Sequence, residues 1–240
     1  MRFYTKYKNN VNWDILSKID LVHNDTPIFL KDFLPTPEKL LNWKDIENYI
    51  NLSKIPFKFV NKTTPTKTIN PDTYTGVYQK TFQNKETVKK LIDKGFTFFS
   101  LEHSFNNLLA YSLCSEIDDI FGVTSEAQIF GSKSSKSISF PVHLDDNPIF
   151  VFQTYGSIDW IVYENKTTNL GSRDYINSKV IHSKLTSPVT YTLNPGDFLY
   201  VPQRTFHQIK LTEPRLTVAI NCFSKELAKE LDREFYEIEN

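Results

Sequence analysis

Cysteine is scarce in this chain of 240 residues, with only Cys114 and Cys222 present. Two cysteines cannot form the disulfide framework of a small secreted protein, so we expect a reducing environment. No apolar stretch reaches the roughly 18 residues that a membrane helix needs, and residues 1–6 lack the apolar core of a secretory signal. The sequence therefore predicts a cytoplasmic protein with no membrane partner.

Excess charge of either sign is also missing, because 28 Lys and Arg residues balance 28 Asp and Glu residues. A dedicated nucleic-acid binder normally carries a basic excess, so the balance argues against that class of protein. Arginine is rare, with five copies in the chain. Hydrophobic residues make up 40% of the sequence, which is enough for a sizeable core and too much for a disordered chain.

The chain changes character near residue 122. Before it, apolar spacing predicts helices at 35–41, 45–52, 85–94 and 105–121, strands at 27–30 and 96–101, and a surface loop at 62–80. After it, alternating runs and turn formers predict strands at 127–131, 138–144, 148–155, 158–163, 189–193, 198–201, 206–211 and 215–222. A last amphipathic helix is expected from Ser224 onward, with Ser224 as its N-cap.

Many short, closely spaced strands are typical of a β-barrel or sandwich. We expect an N-terminal region of helices and flanking strands over 1–120, a β core over 121–223, and a C-terminal helix over 224–240. The length fits one domain with an extension.

Three side chains in the β region form a candidate metal site. His143 and Asp145 lie two residues apart, so in an extended segment both project to the same side. His207 lies on a later predicted strand, which a barrel can bring to the same point. Two imidazoles and one carboxylate on one face of a metal form the facial triad of non-haem Fe(II) oxygenases. Spacing alone leaves open that these histidines are ordinary hydrogen-bonded strand residues.

The sequence context resembles the JmjC-type oxygenases. In residues 139–163, His-x-Asp is followed by an apolar strand ending at Gln153, then by Gly156 and Trp160, as in that family. Residues 195–208 are similar to its second half, where Pro-Gly-Asp-x-Leu-Tyr-x-Pro precedes the distal histidine. The resemblance is closest to the branch containing ribosomal-protein hydroxylases and the asparaginyl hydroxylase of the hypoxia pathway, and it covers about 121–223.

This resemblance implies a mainly β fold, a double-stranded β-helix of the jelly-roll or cupin type, with flanking α-helices that are mostly N-terminal. It implies that His143, Asp145 and His207 hold Fe(II), with 2-oxoglutarate as co-substrate and O2 as oxidant. The implied activity is that of a dioxygenase, a hydroxylase that oxidises a C–H bond. Because Asp145 is present, the resemblance favours hydroxylation over halogenation.

The chain departs from that family at one position. Close relatives have a Lys or Arg two residues after the glycine that aligns with Gly156, whereas this chain has Ile158. Either 2-oxoglutarate is not used, or another cation binds its far carboxylate. Arg215 is the best candidate, because it starts the last predicted strand and a hairpin can bring it beside His207. Arg binds a carboxylate through a bidentate fork, and the Thr217 hydroxyl on the same face can add a bond.

Other residues leave alternatives open. Asn221, on the face of Arg215, either bonds the co-substrate or a water of the metal, or is a satisfied core amide. Gln153 either faces the site or bonds a neighbouring backbone group. Lys133 and Lys136 are alternative cations, although a Ser- and Lys-rich loop is usually a solvated surface.

The first expectation for the substrate is a side chain of a protein or peptide, as in the branch that the sequence resembles. A free small molecule or a nucleic-acid base is the alternative for a hydroxylase. From other classes, a non-enzymatic cupin-like protein that binds a metal or ligand, or a cupin isomerase or dioxygenase that works without 2-oxoglutarate, also fits. Residues 224–240 are a candidate surface for a homodimer.

Overall fold

The computed structural model describes residues 11–224, apart from 12, 22, 53–55, 64–67, 72, 76–80, 102, 167–184 and 186. The predicted C-terminal helix falls on 225–240, outside the described residues, and only Ser224 of that stretch is described. The division into 1–120, 121–223 and 224–240 stays a prediction. Cys114 and Cys222 are both buried and unpaired.

The described helices lie before residue 122. Their bounds are α1 Pro37–Leu40, α2 Trp43–Leu52, α3 Lys85–Asp93 and α4 Leu108–Phe121, with a 3₁₀ turn at His103–Phe105. The side chain of Asn107 caps α4 by accepting a hydrogen bond from the backbone N–H of Ala110 at 2.9 Å. No described helix has the length and apolar character that crossing a membrane requires.

Of the thirteen described strands, six lie before residue 122 and seven lie after it. They are β1 Ile28–Leu30, β2 Lys58–Val60, β3 Thr68–Ile69, β4 Thr73–Thr75, β5 Thr81–Gln83, β6 Phe98–Ser100, β7 Thr124–Ser132, β8 Ile149–Tyr155, β9 Ile158–Lys166, β10 Val189–Leu193, β11 Phe198–Val201, β12 Thr205–Leu211 and β13 Arg215–Phe223. Each described pair of neighbouring strands is antiparallel.

Two sheets form the core of the described part. The larger has the strand order β1-β11-β8-β13-β7-β6-β2-β3, the smaller has the order β10-β9-β12, and β4 and β5 pair separately. Side chains of both sheets meet in one apolar cluster, in which Val151 and Ala219 of the large sheet join Ile158 and Trp160 of the small one. The two sheets therefore pack face to face.

The alternation of β13 explains which side chains reach the space between the sheets. Leu216, Val218 and Ile220 are fully buried on the outer face of the large sheet, in the same core cluster as the helices. The intervening residues, among them Arg215 and Thr217, line a cavity on the inner face. Strand periodicity thus separates a helix-covered face from a cavity face.

Two sequence predictions need correction. Segment 138–144 is not a strand, because only His143 makes a bridge, to His207. The apolar alternation there reflects burial of Val142 and Leu144 in a small cluster with Phe206, and Pro141 has no N–H to donate to a ladder. The predicted loop over 62–80 contains β3 and β4.

The ends of the predicted helices differ only slightly from those in the structure. Helix α4 starts at Leu108 rather than at residue 105, because Asn107 caps it after the preceding 3₁₀ turn. Helix α1 has Pro37 at its start as expected, but the Thr36 side chain makes no capping hydrogen bond.

Candidate metal centre

The structure brings His143, Asp145 and His207 together. One ligand atom from each lies within 4.8 Å of the others, which is close enough to hold one metal ion. The two histidines are joined by paired backbone hydrogen bonds, His143 N–H to His207 C=O at 3.0 Å and the reverse at 2.8 Å. This pairing fixes the 143–145 segment to β12, although 138–144 forms no continuous strand.

Hydrogen bonds select the ring nitrogens that face the site. His143 Nδ1 lies 2.9 Å from the carbonyl oxygen of Pro141, and His207 Nδ1 lies 2.9 Å from that of Thr205. A carbonyl oxygen only accepts, so each Nδ1 carries the proton and each Nε2 carries the lone pair that can bind a metal. His207 Nε2 lies 3.5 Å from Asp145 Oδ2. Such backbone partners orient metal-binding histidines in many proteins.

Electrostatics keep His207 neutral at physiological pH. Burial, and after it the nearby His143, lowers the pKa of His207 to about 4, against the opposing effect of Asp145. A neutral imidazole is the form that binds a metal. The Trp160 ring stacks on the His207 ring, with 5.3 Å between centroids and 28° between planes. Trp160 therefore packs in the core and also fixes one metal-site side chain.

Arg204 holds the acidic part of the site, and sequence reasoning did not assign it a role. Its backbone N–H donates to the Asp145 carbonyl at 2.7 Å, and its Nη1 donates to Asp146 Oδ1 at 2.7 Å. Its backbone has φ 56°, in the left-handed region that favours glycine. The scarcity of arginine was the only signal in the sequence that pointed to this residue.

A cavity of about 430 Å³ opens beside the triad. Besides the triad, the residues lining it are Thr68, Phe99, Gln128, Phe130, Ser139, Phe140, Asp146, Asn147, Ile149, Trp160, Ile209, Arg215, Thr217, Ala219, Asn221 and Phe223. The structure thus places all three predicted co-substrate residues, Arg215, Thr217 and Asn221, on the wall of the same cavity as the triad.

Arg215 is the most unusual of these side chains. It is fully buried, and its Nη1 donates to Thr217 Oγ1 at 2.9 Å. Its Nε and Nη2 have no hydrogen-bond partner among the described residues. Burial lowers the pKa of Arg215 to about 10, so it remains a cation at neutral pH. A buried cation with unsatisfied donors is costly unless an anion binds it.

The Thr217 hydroxyl donates a hydrogen bond to the Gln153 side chain. Thr217 Oγ1 lies 2.8 Å from Gln153 Oε1, while Gln153 Nε2 donates to the carbonyl oxygens of Tyr155 and Gly156, each at 2.8 Å. The hydroxyl proton of Thr217 is therefore already used, and its oxygen accepts from Arg215. Gln153 thus bonds neighbouring backbone groups, one of the two alternatives left open by the sequence, and it does not line the cavity itself but contacts Thr217, which does.

The remaining candidates lie elsewhere. Lys133 is exposed and pairs with Asp93 at 2.9 Å, and Lys136 does not line the cavity. Asp197 is a turn residue that accepts hydrogen bonds from the backbone N–H groups of Asp32 and Asn194.

Of the three histidines outside the triad, His103 is described and buried, and His182 is not described. His103 is buried, with Nδ1 bonded to the Tyr49 hydroxyl and Nε2 to the Leu40 carbonyl oxygen, so its role is structural. His182 lies outside the described residues.

Comparison with known proteins identifies similar sequences and folds. A sequence model of the JmjC domain matches residues 100–231. The "bifunctional lysine-specific demethylase and histidyl-hydroxylase NO66" of Dictyostelium discoideum is 24% identical over 167 residues, which are 68% of this chain and 28% of that protein. This chain therefore spans less than a third of that relative.

Solved structures of the ribosomal oxygenase YcfD from Escherichia coli are similar in fold. One has a TM-score of 0.60 and 15% identity, and covers 95% of this chain and 55% of YcfD. Another, in complex with cobalt and 2-oxoglutarate, has a TM-score of 0.57 and 16% identity with the same coverage. These likenesses confirm the predicted mainly β, jelly-roll architecture with flanking helices.

Proposed function

Because this chain belongs to the JmjC domain family, we propose that it is an Fe(II)- and 2-oxoglutarate-dependent oxygenase that hydroxylates a C–H bond. One observation carries the proposal. Two imidazoles and a carboxylate converge beside a buried arginine whose Nε and Nη2 have no hydrogen-bond partner among the described residues, and all four side chains line one cavity. A metal triad and an unpaired cation are the two features that a metal-chelating dicarboxylate requires.

His143, Asp145 and His207 would hold the metal. The Nε2 lone pairs of both histidines face the site, and the carboxylate lowers the net charge of a bound dication. Three ligands leave the other coordination positions for the co-substrate and O2. When bound, iron and 2-oxoglutarate supply the oxidative chemistry, in which O2 is reduced, 2-oxoglutarate becomes succinate and CO2, and one oxygen atom enters the substrate.

Arg215 would bind the far carboxylate of 2-oxoglutarate. Its Nε and Nη2 donors, which have no partner in the part of the chain that the structure describes, match the bidentate geometry that carboxylates favour. Ile158 stands where the family that this chain resembles has its basic residue. It is an uncharged side chain, and it is buried in the apolar cluster between the sheets. Arg215 therefore replaces that residue from another strand.

The apolar lining would exclude water from the reacting groups. Trp160 and Ala219 belong to the buried cluster between the sheets and also line the cavity. A dry wall strengthens the electrostatic attraction between Arg215 and a bound carboxylate. It also limits side reactions of the oxidising centre with solvent.

The substrate would be a side chain of a protein or peptide. The relatives in fold and sequence are a ribosomal oxygenase and a histidyl-hydroxylase, which supports a polypeptide substrate here. An aromatic wall flanks the triad, in which Phe99 stacks on Phe130 at 5.9 Å and contacts Phe140 at 5.6 Å. The ring centroids of Phe140 and His143 lie 5.9 Å apart, so a substrate group held by this wall would lie next to the metal. A cavity of about 430 Å³ falls within the range typical of small-molecule sites.

Succinate release tests the activity. The full chain is incubated with Fe(II), ascorbate and 2-oxoglutarate, and succinate is measured for the unsubstituted protein, Arg215→Ala and Lys133→Ala. We expect release that Arg215→Ala abolishes and that Lys133→Ala, which removes an exposed cation outside the cavity lining, leaves intact. Metal binding without binding of 2-oxoglutarate would overturn the proposal in favour of a non-enzymatic cupin-like protein. The substrate is then sought by mass spectrometry of peptides that gain one oxygen atom.

A further inference from the structure

Gln153 lies opposite Thr217 in the pairing of β8 with β13, and both side chains are buried. The orientation of the Gln153 amide is fixed by its neighbours. Its Nε2 approaches the carbonyl oxygens of Tyr155 and Gly156, both at 2.8 Å. Carbonyl oxygens cannot donate, so the NH2 group must face them and the amide oxygen must face Thr217.

This orientation determines the direction of the next two hydrogen bonds. Gln153 Oε1 can only accept, so the Thr217 hydroxyl donates its single proton across the 2.8 Å contact. The Thr217 oxygen is then left with lone pairs alone, and one of them accepts from Arg215 Nη1 at 2.9 Å. The chain of donors thus runs one way, from Arg215 to Thr217 to Gln153 and its backbone partners.

None of the acceptors in this series of hydrogen bonds carries a charge. Arg215 is therefore held in place without being neutralised, and its Nε and Nη2 stay unpaired within the described residues. An acidic residue in the role of Gln153 would also accept the Thr217 proton, but its negative charge would cancel the attraction for an anionic ligand. A neutral amide orients the guanidinium and preserves its charge.

We propose that Gln153 is a positioning residue for the co-substrate, which acts through Thr217 to aim the free donors of Arg215 at the far carboxylate of a 2-oxo dicarboxylate. This inference rests on the proposed function, since it presupposes that Arg215 binds that carboxylate. Each link of the orienting chain is a single hydrogen bond to an uncharged acceptor. Breaking a link is expected to weaken binding of the dicarboxylate about five- to tenfold.

The test compares two ligands that differ only at the far end. The Fe(II)-loaded full chain is titrated anaerobically by calorimetry with 2-oxoglutarate and with 2-oxobutanoate, which has the same keto-acid group but no second carboxylate. We expect Gln153→Met and Thr217→Val each to weaken 2-oxoglutarate about five- to tenfold and to leave 2-oxobutanoate unchanged. Thr217→Ser retains the hydroxyl and should keep the original ratio of the two affinities. In the double variant the losses should be less than additive, because the two residues act in one chain.

The Arg215→Met variant distinguishes failure of the proposed co-substrate site from failure of the proposed role of Gln153. If it leaves the affinity ratio unchanged, Arg215 does not bind the carboxylate and the proposed co-substrate site is wrong. If it lowers the ratio while Gln153→Met and Thr217→Val do not, only the role of Gln153 is overturned. An equal loss for both ligands in Gln153→Met would show a merely structural role. Should Gln153→Met fail to fold, Thr217→Val against Thr217→Ser decides, since neither alters the bonds from Gln153 to Tyr155 and Gly156.

Discussion

Arg204 and Asp145 are joined through their backbones by an N–H···O bond of 2.7 Å, and the same arginine pairs with Asp146 through its side chain. The left-handed backbone of Arg204, with φ 56°, allows both contacts. Strain of this kind costs about 1–2 kcal/mol for a non-glycine residue. The two contacts of Arg204, with Asp145 and Asp146, form a clamp between the turn before His207 and the loop that carries Asp145.

Arg204→Ala and Arg204→Gly separate the clamp from the strain. Both remove the ion pair with Asp146, but glycine adopts positive φ without steric cost. We expect Arg204→Ala to be less stable than Arg204→Gly by about 1 kcal/mol in denaturant unfolding. Both should weaken Fe(II) binding about tenfold, because residues that orient metal ligands have effects of this size. Unchanged metal affinity in both variants would show that the ion pair between Arg204 and Asp146 does not position Asp145.

Removing a triad side chain should abolish metal binding. His143→Ala takes away one of the three described ligands, and we expect the affinity for Co(II), a spectroscopic substitute for Fe(II), to fall by more than about 100-fold. His23→Ala is the matched control, because the His23 side chain is 75% exposed, pairs with Asp20 three residues away and does not line the cavity. Equal Co(II) binding by the two variants would place the metal elsewhere.

The pairing of His143 with Asp145 was predictable because its information is local, whereas His207 was assigned from the resemblance of residues 195–208 to the second half of the JmjC pattern. The spacing of His143 and Asp145 predicts a common side even though the segment is no strand, since the alternating burial of Val142 and Leu144 has the same effect. The cavity face of β13 was likewise readable from alternation.

The orientation of Arg215 was not predictable. It depends on the pairing of Gln153 with Thr217 across β8 and β13, and this register joins residues far apart in sequence. The role of Arg204 depends on a turn geometry that its residue type disfavours. Sequence therefore pointed to the candidate metal ligands and the candidate cation, while the contacts that hold these side chains required tertiary structure.

Gly156 should be irreplaceable for a steric reason. It has φ 66°, and a Cβ there would lie 1.9 Å from the carbonyl oxygen of Pro214, next to the start of β13. Gly122, at φ 65°, has nothing within 4 Å of the same position and serves as the control. We expect Gly122→Ala to lose about 1 kcal/mol of unfolding free energy and Gly156→Ala distinctly more, since it adds a backbone clash to the same strain. Equal losses in thermal denaturation would contradict the tight approach of this turn to Pro214.

Stability should fall in acid through the buried histidines. Burial lowers the pKa of His103 to about 4, against an ordinary value of 6.5, so the unfolded chain binds its proton at a higher pH than the folded chain. The contribution of His103 is therefore complete above pH 6.5 and is lost as the pH falls toward 4. Each such group steepens the slope by up to about 1.4 kcal/mol per pH unit.

His103→Gln should reduce that slope, because glutamine does not titrate. The measurement is urea unfolding of the metal-free protein at several pH values between 4 and 7. His207 contributes in the same direction, since its pKa is also lowered to about 4, so some slope should remain in the variant. A variant with the slope of the unsubstituted protein would mean that His103 is not held neutral by burial.

The buried cation should be movable between two strands. Ile158 occupies the position at which the resemblance to the JmjC-type oxygenases implies a basic residue, and it is fully buried. Ile158→Lys alone therefore adds a second interior charge and should be strongly destabilising. Combined with Arg215→Ala it keeps the number of buried charges constant. We expect Arg215→Ala to lose 2-oxoglutarate binding and the double variant to recover part of it, measured by anaerobic calorimetry. Ile158→Met with Arg215→Ala is the uncharged control. If both double variants bind equally poorly while remaining folded, a lysine at residue 158 of β9 does not take over the role of Arg215.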